Sequence, residues 1–246
     1  LYVENFQKFI DYNIQDVNLV KRLDEKLGLI DAQIMIAYMA CINYGEVNST
    51  VRTWDSLINK ELQKDRVIPH FHITTAESSG NIPGGHVKEP QVGKHGWCMS
   101  FDLNSLYPHL IMQFNISPET FRPEEQVWPM EGDMERVQKF LSKEKYKAPK
   151  GLSVSGSGYT FSNEIEGVIP RLMRRLYDDR KKIKQAMLQK QREGKDDSLE
   201  NLRQYVIKIL LNSGYGAFVN KYFRWYDQRI GKSITLSGQL VIQIAE

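Results

Sequence analysis

The sequence predicts an α+β chain in which helices dominate. Apolar residues recur at helical spacing over long stretches near the start and in the second half of the chain. One short apolar run, residues 97–103, has the density of a buried strand. Clusters of Gly, Ser and Pro separate these blocks.

In chain order, residues 1–27 read as helix, with Phe6, Phe9, Ile10, Val17, Val20 and Leu23 at helical spacing. Gly28 is a stop, and a second helical stretch runs to about residue 43. Thr53 reads as the cap of a helix over 54–62. Residues 74–96 are rich in Gly, Ser, Pro and His and read as a linker loop and domain boundary. The strand 97–103 follows, interrupted by Asp102, and helical spacing resumes over 105–114. Residues 115–170 are mixed, with Gly and Ser clustered around 151–158.

The clearest architecture lies at 171–213. Leu172, Leu176, Ile183 and Met187 form one apolar stripe, and Gly194 ends it. Asp197, Ser198, Leu199 and Glu200 fit a capping box. Leu199, Leu202, Val206, Ile209 and Leu210 form a second stripe, which makes the segment an antiparallel helical hairpin.

Composition excludes several classes. Of 246 residues, 41% are hydrophobic and 26% charged, so the chain buries a core and is no disordered tail. Two cysteines, Cys41 and Cys98, exclude a disulfide-dense scaffold. No apolar run reaches the ~18–20 residues of a membrane span, and no basic-then-apolar leader is present. The chain starts at Leu1 and stops at Glu246 inside an apolar helical pattern, which reads as a piece of something longer.

The net charge of +3 hides an asymmetry. Residues 171–208 carry twelve Lys and Arg against six acids, a net +6 that leaves the remainder at −3. Such a concentration suits a polyphosphate or a nucleic-acid backbone, and equally a solvated helix face. Arg180 and Lys184 are four apart on one helix and share a face, as do Lys208 and Asn212 on the next. At ~1.5 Å rise per residue, Arg180 and Lys208 stand at similar heights on the hairpin. Tyr215 continues the second face. Three cations and an amide converging in this way suit a triphosphate. Asp102, at the end of its strand, is placed where a magnesium ligand would stand. Taken alone, it reads more readily as a cap on the helix that follows.

Longer strings carry a resemblance. Residues 100–108, Ser-Phe-Asp-Leu-Asn-Ser-Leu-Tyr-Pro, resemble motif A of the family B DNA polymerases. Residues 208–216, Lys-Ile-Leu-Leu-Asn-Ser-Gly-Tyr-Gly, resemble motif B of that family, and the order is the family's. The strings at 87–90, 115–120 and 222–227 are similar to those of T-even-type bacteriophage replicative polymerases. Residues 12–16, Tyr-Asn-Ile-Gln-Asp, resemble the last motif of their proofreading exonuclease.

This resemblance implies a partial polymerase palm with an antiparallel sheet, helical-hairpin fingers and the C-terminal helices of a ribonuclease H-like exonuclease. It divides the chain into the exonuclease end (1–73), a linker (74–96), the first part of the palm (97–170), the fingers (171–216) and a return into the palm (217–246). It implies template-directed DNA synthesis from deoxynucleoside triphosphates on a primer 3′-hydroxyl, with two Mg²⁺ ions. Asp102 and the Leu103 carbonyl would hold metal. Amides near Ser105 and Leu106 would touch the triphosphate, and Tyr107 would exclude a 2′-hydroxyl. Arg180, Lys184 and Lys208 would bind phosphates, Lys208 also serving as the acid for the leaving pyrophosphate. Asn212, Tyr215 and Gly216 would line the nascent base pair. In the exonuclease, Asp16 would ligate metal and Tyr12 would position water. The implied partners are primer–template DNA, deoxynucleotides, a sliding clamp and other replisome proteins, with no membrane, in the cytoplasm of an infected bacterium.

Five departures stand out. Ile82 precedes Pro83-Gly84-Gly85 where a Tyr is usual, and His109 replaces a common Ser. Gly214 stands where a larger apolar residue is usual, which predicts a looser base-pair pocket. Only 27 residues separate Arg180 from Lys208, so the fingers are short. The family's motif C, its upstream exonuclease carboxylates and its thumb have no counterpart in these 246 residues. The chain alone is therefore expected to be inactive. The competing readings are a non-catalytic nucleotide- or DNA-binding module on the same scaffold and one subunit of a split polymerase.

Overall fold

A computed structural model describes residues 2–69, 82–147 and 150–246, so the part of the expected linker at 74–81 lies outside the described residues. Helix α1 (Phe6–Leu27) starts where the Asn5 side chain accepts the Lys8 N–H, and ends where Gly28 takes the left-handed conformation at φ 61°. Its apolar stripe is not a core face, because none of its 22 residues is buried. Helix α2 (Leu29–Ala40) stops earlier than expected, with Cys41 in the left-handed region. Helix α3 (Thr50–Lys64) also starts earlier than expected. Ser49 is its cap, accepting the Arg52 N–H, while Thr53 lies inside and donates back to the Ser49 carbonyl.

The expected strand at 97–103 is absent. The segment carries no regular structure, and Trp97, Met99 and Phe101 are 98%, 84% and 86% exposed. A strand's hydrogen bonds come from a neighbouring strand, and among the described residues none lies alongside this one. Ser105, at φ 53°, turns the chain into helix α4 (Leu106–Gln113).

An antiparallel sheet does form, from other residues. Strands β1 (Phe121–Arg122), β2 (Leu152–Val154) and β3 (Thr160–Ser162) pair in the order β1-β3-β2. Helix α5 (Asp133–Leu141) lies between β1 and β2 in sequence.

The predicted hairpin is present as helices α6 (Val168–Arg192) and α7 (Ser198–Phe218), with Gly194 at φ 64° between them. Its turn differs from the expected capping box. Asp196 accepts from the Ser198 N–H and hydroxyl, and Glu200 turns instead to Lys190 at 2.8 Å, which holds its carboxyl below the usual range. Leu199 stays exposed, while Val206, Ile207, Leu210 and Leu211 are buried.

Helix α7 is the packing hub, touching α2, α3, α4, α6 and the last helix, α8 (Gln228–Ala245). Its buried side joins Trp54 and Ile58 of α3, Leu172 and Met173 of α6 and Ile234 of α8 in one core.

The start of α6 is fastened by a remote loop. Its preceding residue, Gly167, offers no side chain to cap the helix. Glu119 accepts the Val168 N–H at 2.5 Å, Ser117 accepts that of Ile169 at 3.4 Å, and Asn115 accepts that of Gly167 at 2.9 Å. This is a physical use for the string at 115–120. Glu119→Ala should lower the unfolding free energy by about 1–2 kcal/mol, read from the urea midpoint. An unchanged midpoint would show that water replaces the cap.

Candidate functional site

The site residues come from three places: the loop 102–105 with the start of α4, the middle of α6, and the exposed face of α7. On α6, Tyr177, Arg180, Lys181 and Lys184 line a concavity of about 150 Å³ together with Asn104. The Nε of Arg180 is buried and, among the described residues, makes no hydrogen bond, as is also true of Gln126 Nε2, Arg171 Nε and Trp225 Nε1. A buried donor without an acceptor is costly. A second concavity, about 300 Å³, is lined by Leu103, Ser105, Leu106, Tyr107, Pro108 and Asn212. The loop joins the two, since Asn104 faces one while Leu103 and Ser105 face the other.

Lys208 lines neither concavity. It is exposed on α7, one turn before the exposed Asn212, so the shared face of the two holds. Gly216 is exposed, and a β-carbon built there meets nothing within 4 Å. Tyr107 and Tyr215 pack ring to ring, with centroids 4.9 Å apart at 51°. Burial pushes both phenols above their usual range, so both are neutral donors at physiological pH. For Tyr215 the neighbouring Tyr107 phenol adds to this, and the nearby Thr235 hydroxyl of α8 offsets part of it.

Asp102 is exposed and, among the described residues, makes no hydrogen bond or ion pair. Its carboxylate and the adjacent Leu103 carbonyl are the groups here that suit a hard cation. Among the described residues, no three His, Cys, Asp or Glu gather as a metal cluster. Tyr12 and Asp16 lie on α1, both exposed and one turn apart, and neither lines the two concavities.

Gly214 corrects an expectation. It faces the buried side of α7, where a β-carbon would lie 2.6 Å from Met173 Cε and 2.8 Å from the Trp54 ring. Trp54 fills the space that a larger side chain would take, so no pocket is loosened. Two of the other departures are also accommodated. His109 stands edge-on to Tyr177, with centroids 4.7 Å apart, and Ile82 abuts Gly231 of α8.

Sequence reasoning missed Asn104, Tyr177 and Lys181. Tyr177 was detectable, three residues before Arg180 on the same helix face.

The comparisons decide the family. The model of "DNA polymerase family B" matches residues 43–246.

The chain belongs to DNA polymerase family B.

This family B chain is 30% identical to the DNA-directed DNA polymerase of Enterobacteria phage T4, over 97% of its own length and 31% of that protein. The enzyme of Escherichia phage RB69 is likewise 30% identical, over 98% of this chain and 31% of that protein. DNA polymerase 1 of Pyrococcus abyssi is 34% identical over 65% of this chain. The chain thus spans about a third of the phage relatives' length. A solved family B DNA polymerase from the archaeon Pyrobaculum calidifontis shares the fold, with a TM-score of 0.68 at 20% identity, covering 96% of this chain and 28% of that one. Among the described residues, no helix is long and apolar enough to cross a membrane.

Proposed function

We propose that this chain is the nucleotide-binding part of a replicative, phage-type DNA polymerase. It would work on primer–template DNA and deoxynucleoside triphosphates inside an infected bacterium, alongside a clamp and other replisome proteins. In this reading α6 and α7 are the fingers, residues 97–170 begin the palm, and 217–246 return to it. Residues 1–73 close a proofreading exonuclease, with Tyr12 and Asp16 its contribution to that site.

The observation that carries the reading is the single concavity lined by three cations, Arg180, Lys181 and Lys184, together with Asn104. A guanidinium and an ammonium on one face form a seat for phosphate oxygens. Asn104 of the seat lies two residues after Asp102, whose exposed carboxylate makes no hydrogen bond or ion pair among the described residues and would share a cation with those oxygens. Magnesium, held by Asp102, the Leu103 carbonyl and groups outside this chain, would activate the primer hydroxyl and neutralise charge on the leaving pyrophosphate.

The chain's own residues do the rest. Arg180 and Lys184 hold the triphosphate, with the amides at Ser105 and Leu106 behind it. Lys208, one turn before Asn212, donates a proton to the pyrophosphate as it leaves. Tyr107 stacks beneath the sugar and excludes a 2′-hydroxyl. Asn212, Tyr215 and Gly216 line the nascent base pair, where the bare α7 surface at Gly216 admits a base.

Arg180→Ala in the complete polymerase should raise KM for deoxynucleotides by about 10–100-fold with primer–template affinity unchanged. An unchanged KM would overturn the phosphate seat.

A further inference from the structure

Glycine inside a helix is unfavourable relative to alanine, so an interior helix glycine needs a reason. Gly238, in the second half of α8, has a spatial one. A β-carbon built there would stand 2.9 Å from Tyr107 Cε1, 3.6 Å from its Cδ1 and 3.7 Å from Leu110 Cδ1. The first distance is shorter than side-chain contacts allow, and the group it meets is an aromatic ring, not the loose end of a flexible chain.

The same stretch of α8 reaches the second ring. Thr235, three residues earlier and on the same helix face, stands beside Tyr215 closely enough for its hydroxyl to lower the phenol's pKa, and Tyr215 packs on Tyr107. Gln239 fixes a third side. Its Nε2 donates to the Gly84 carbonyl at 2.6 Å, which docks the loop whose Gly85 lies next to the Tyr107 hydroxyl. The Tyr107 ring is thus bounded by α8, by Tyr215 and by this loop, and α8 holds all three boundaries. Thr235 is buried and Gly238 has no side chain, so their influence passes through the two rings.

We infer that the Thr235–Gly238 face of α8 is a positioning element for sugar selection, setting where the Tyr107 ring stands. This rests on the reading of Tyr107 as the group that excludes a 2′-hydroxyl. A side-chain gate discriminates by fractions of an ångström, because a small misplacement changes which sugar clears it.

The test is a double-mutant cycle in the complete polymerase, reading the ratio of kcat/KM for deoxy- over ribonucleotides. Tyr107→Ala should lower the ratio by about 100-fold or more. Gly238→Ala should shift it by about tenfold with Tyr107 present, and by less than about twofold when combined with Tyr107→Ala. Thr235→Val adds no bulk and should give a smaller shift, about threefold, that also vanishes in the Tyr107→Ala background. It decides the matter if Gly238→Ala fails to fold, as judged by its thermal transition. A ratio unmoved by Tyr107→Ala would sink the gate assignment itself. A ratio moved by Tyr107→Ala but by neither α8 substitution overturns the positioning role. Shifts of equal size in both backgrounds overturn it too, since they would act by some route other than the ring.

Discussion

Asp102→Ala in the complete polymerase should cut nucleotide incorporation by about three orders of magnitude while primer–template binding persists. The carboxylate has no structural duty to lose. It is exposed and, among the described residues, makes no hydrogen bond or ion pair. Its removal should therefore leave stability within about 0.5 kcal/mol of the parent, and lost turnover cannot be ascribed to unfolding. Asp102→Asn keeps the shape and removes the charge, so it should lose nearly as much. Single-turnover incorporation, alongside a DNA-binding titration and a melting curve, checks all three statements. Turnover retained in both variants would refute the metal assignment.

The second large effect is on stability. Trp54 is fully buried, donates its indole N–H to Ser213 at 3.2 Å and packs against Phe218 at 5.7 Å between centroids. Trp54→Ala should cost about 3–5 kcal/mol in urea unfolding. Gly214→Leu should cost about 1–3 kcal/mol by overpacking, since even its β-carbon enters the space of Met173 and Trp54. Combined, the two should cost clearly less than their sum, because the new leucine occupies the volume the indole vacates. Strict additivity would show that Trp54 and Gly214 do not share that volume.

The helices of this family B chain were legible because their signals are local. The stripes of α6 and α7, Gly28 and Gly194 as stops, and the shared face of Arg180 and Lys184 all follow from 3.6-residue periodicity within one segment. Boundaries were less legible. Ser49 rather than Thr53 starts α3, and Asp196 rather than Asp197 secures the hairpin turn, because several neighbouring oxygens can serve and the final geometry selects one. The segment at 97–103 was misread for a different reason. Its apolar density is that of a strand, but a strand exists only with a partner, and no described residue provides one.

The sequence by itself determined the helical hairpin, its concentrated positive charge and the strings that mark the family. Each depends on neighbours along the chain, and a helix satisfies its hydrogen bonds within itself. Only the tertiary structure decided that Glu119 caps α6, that Trp54 fills the space over Gly214, that Arg180 and Lys184 line one concavity with Asn104, and that Gly238 makes room for Tyr107. These contacts join residues far apart in the chain, and no local periodicity encodes which side chains will share a volume.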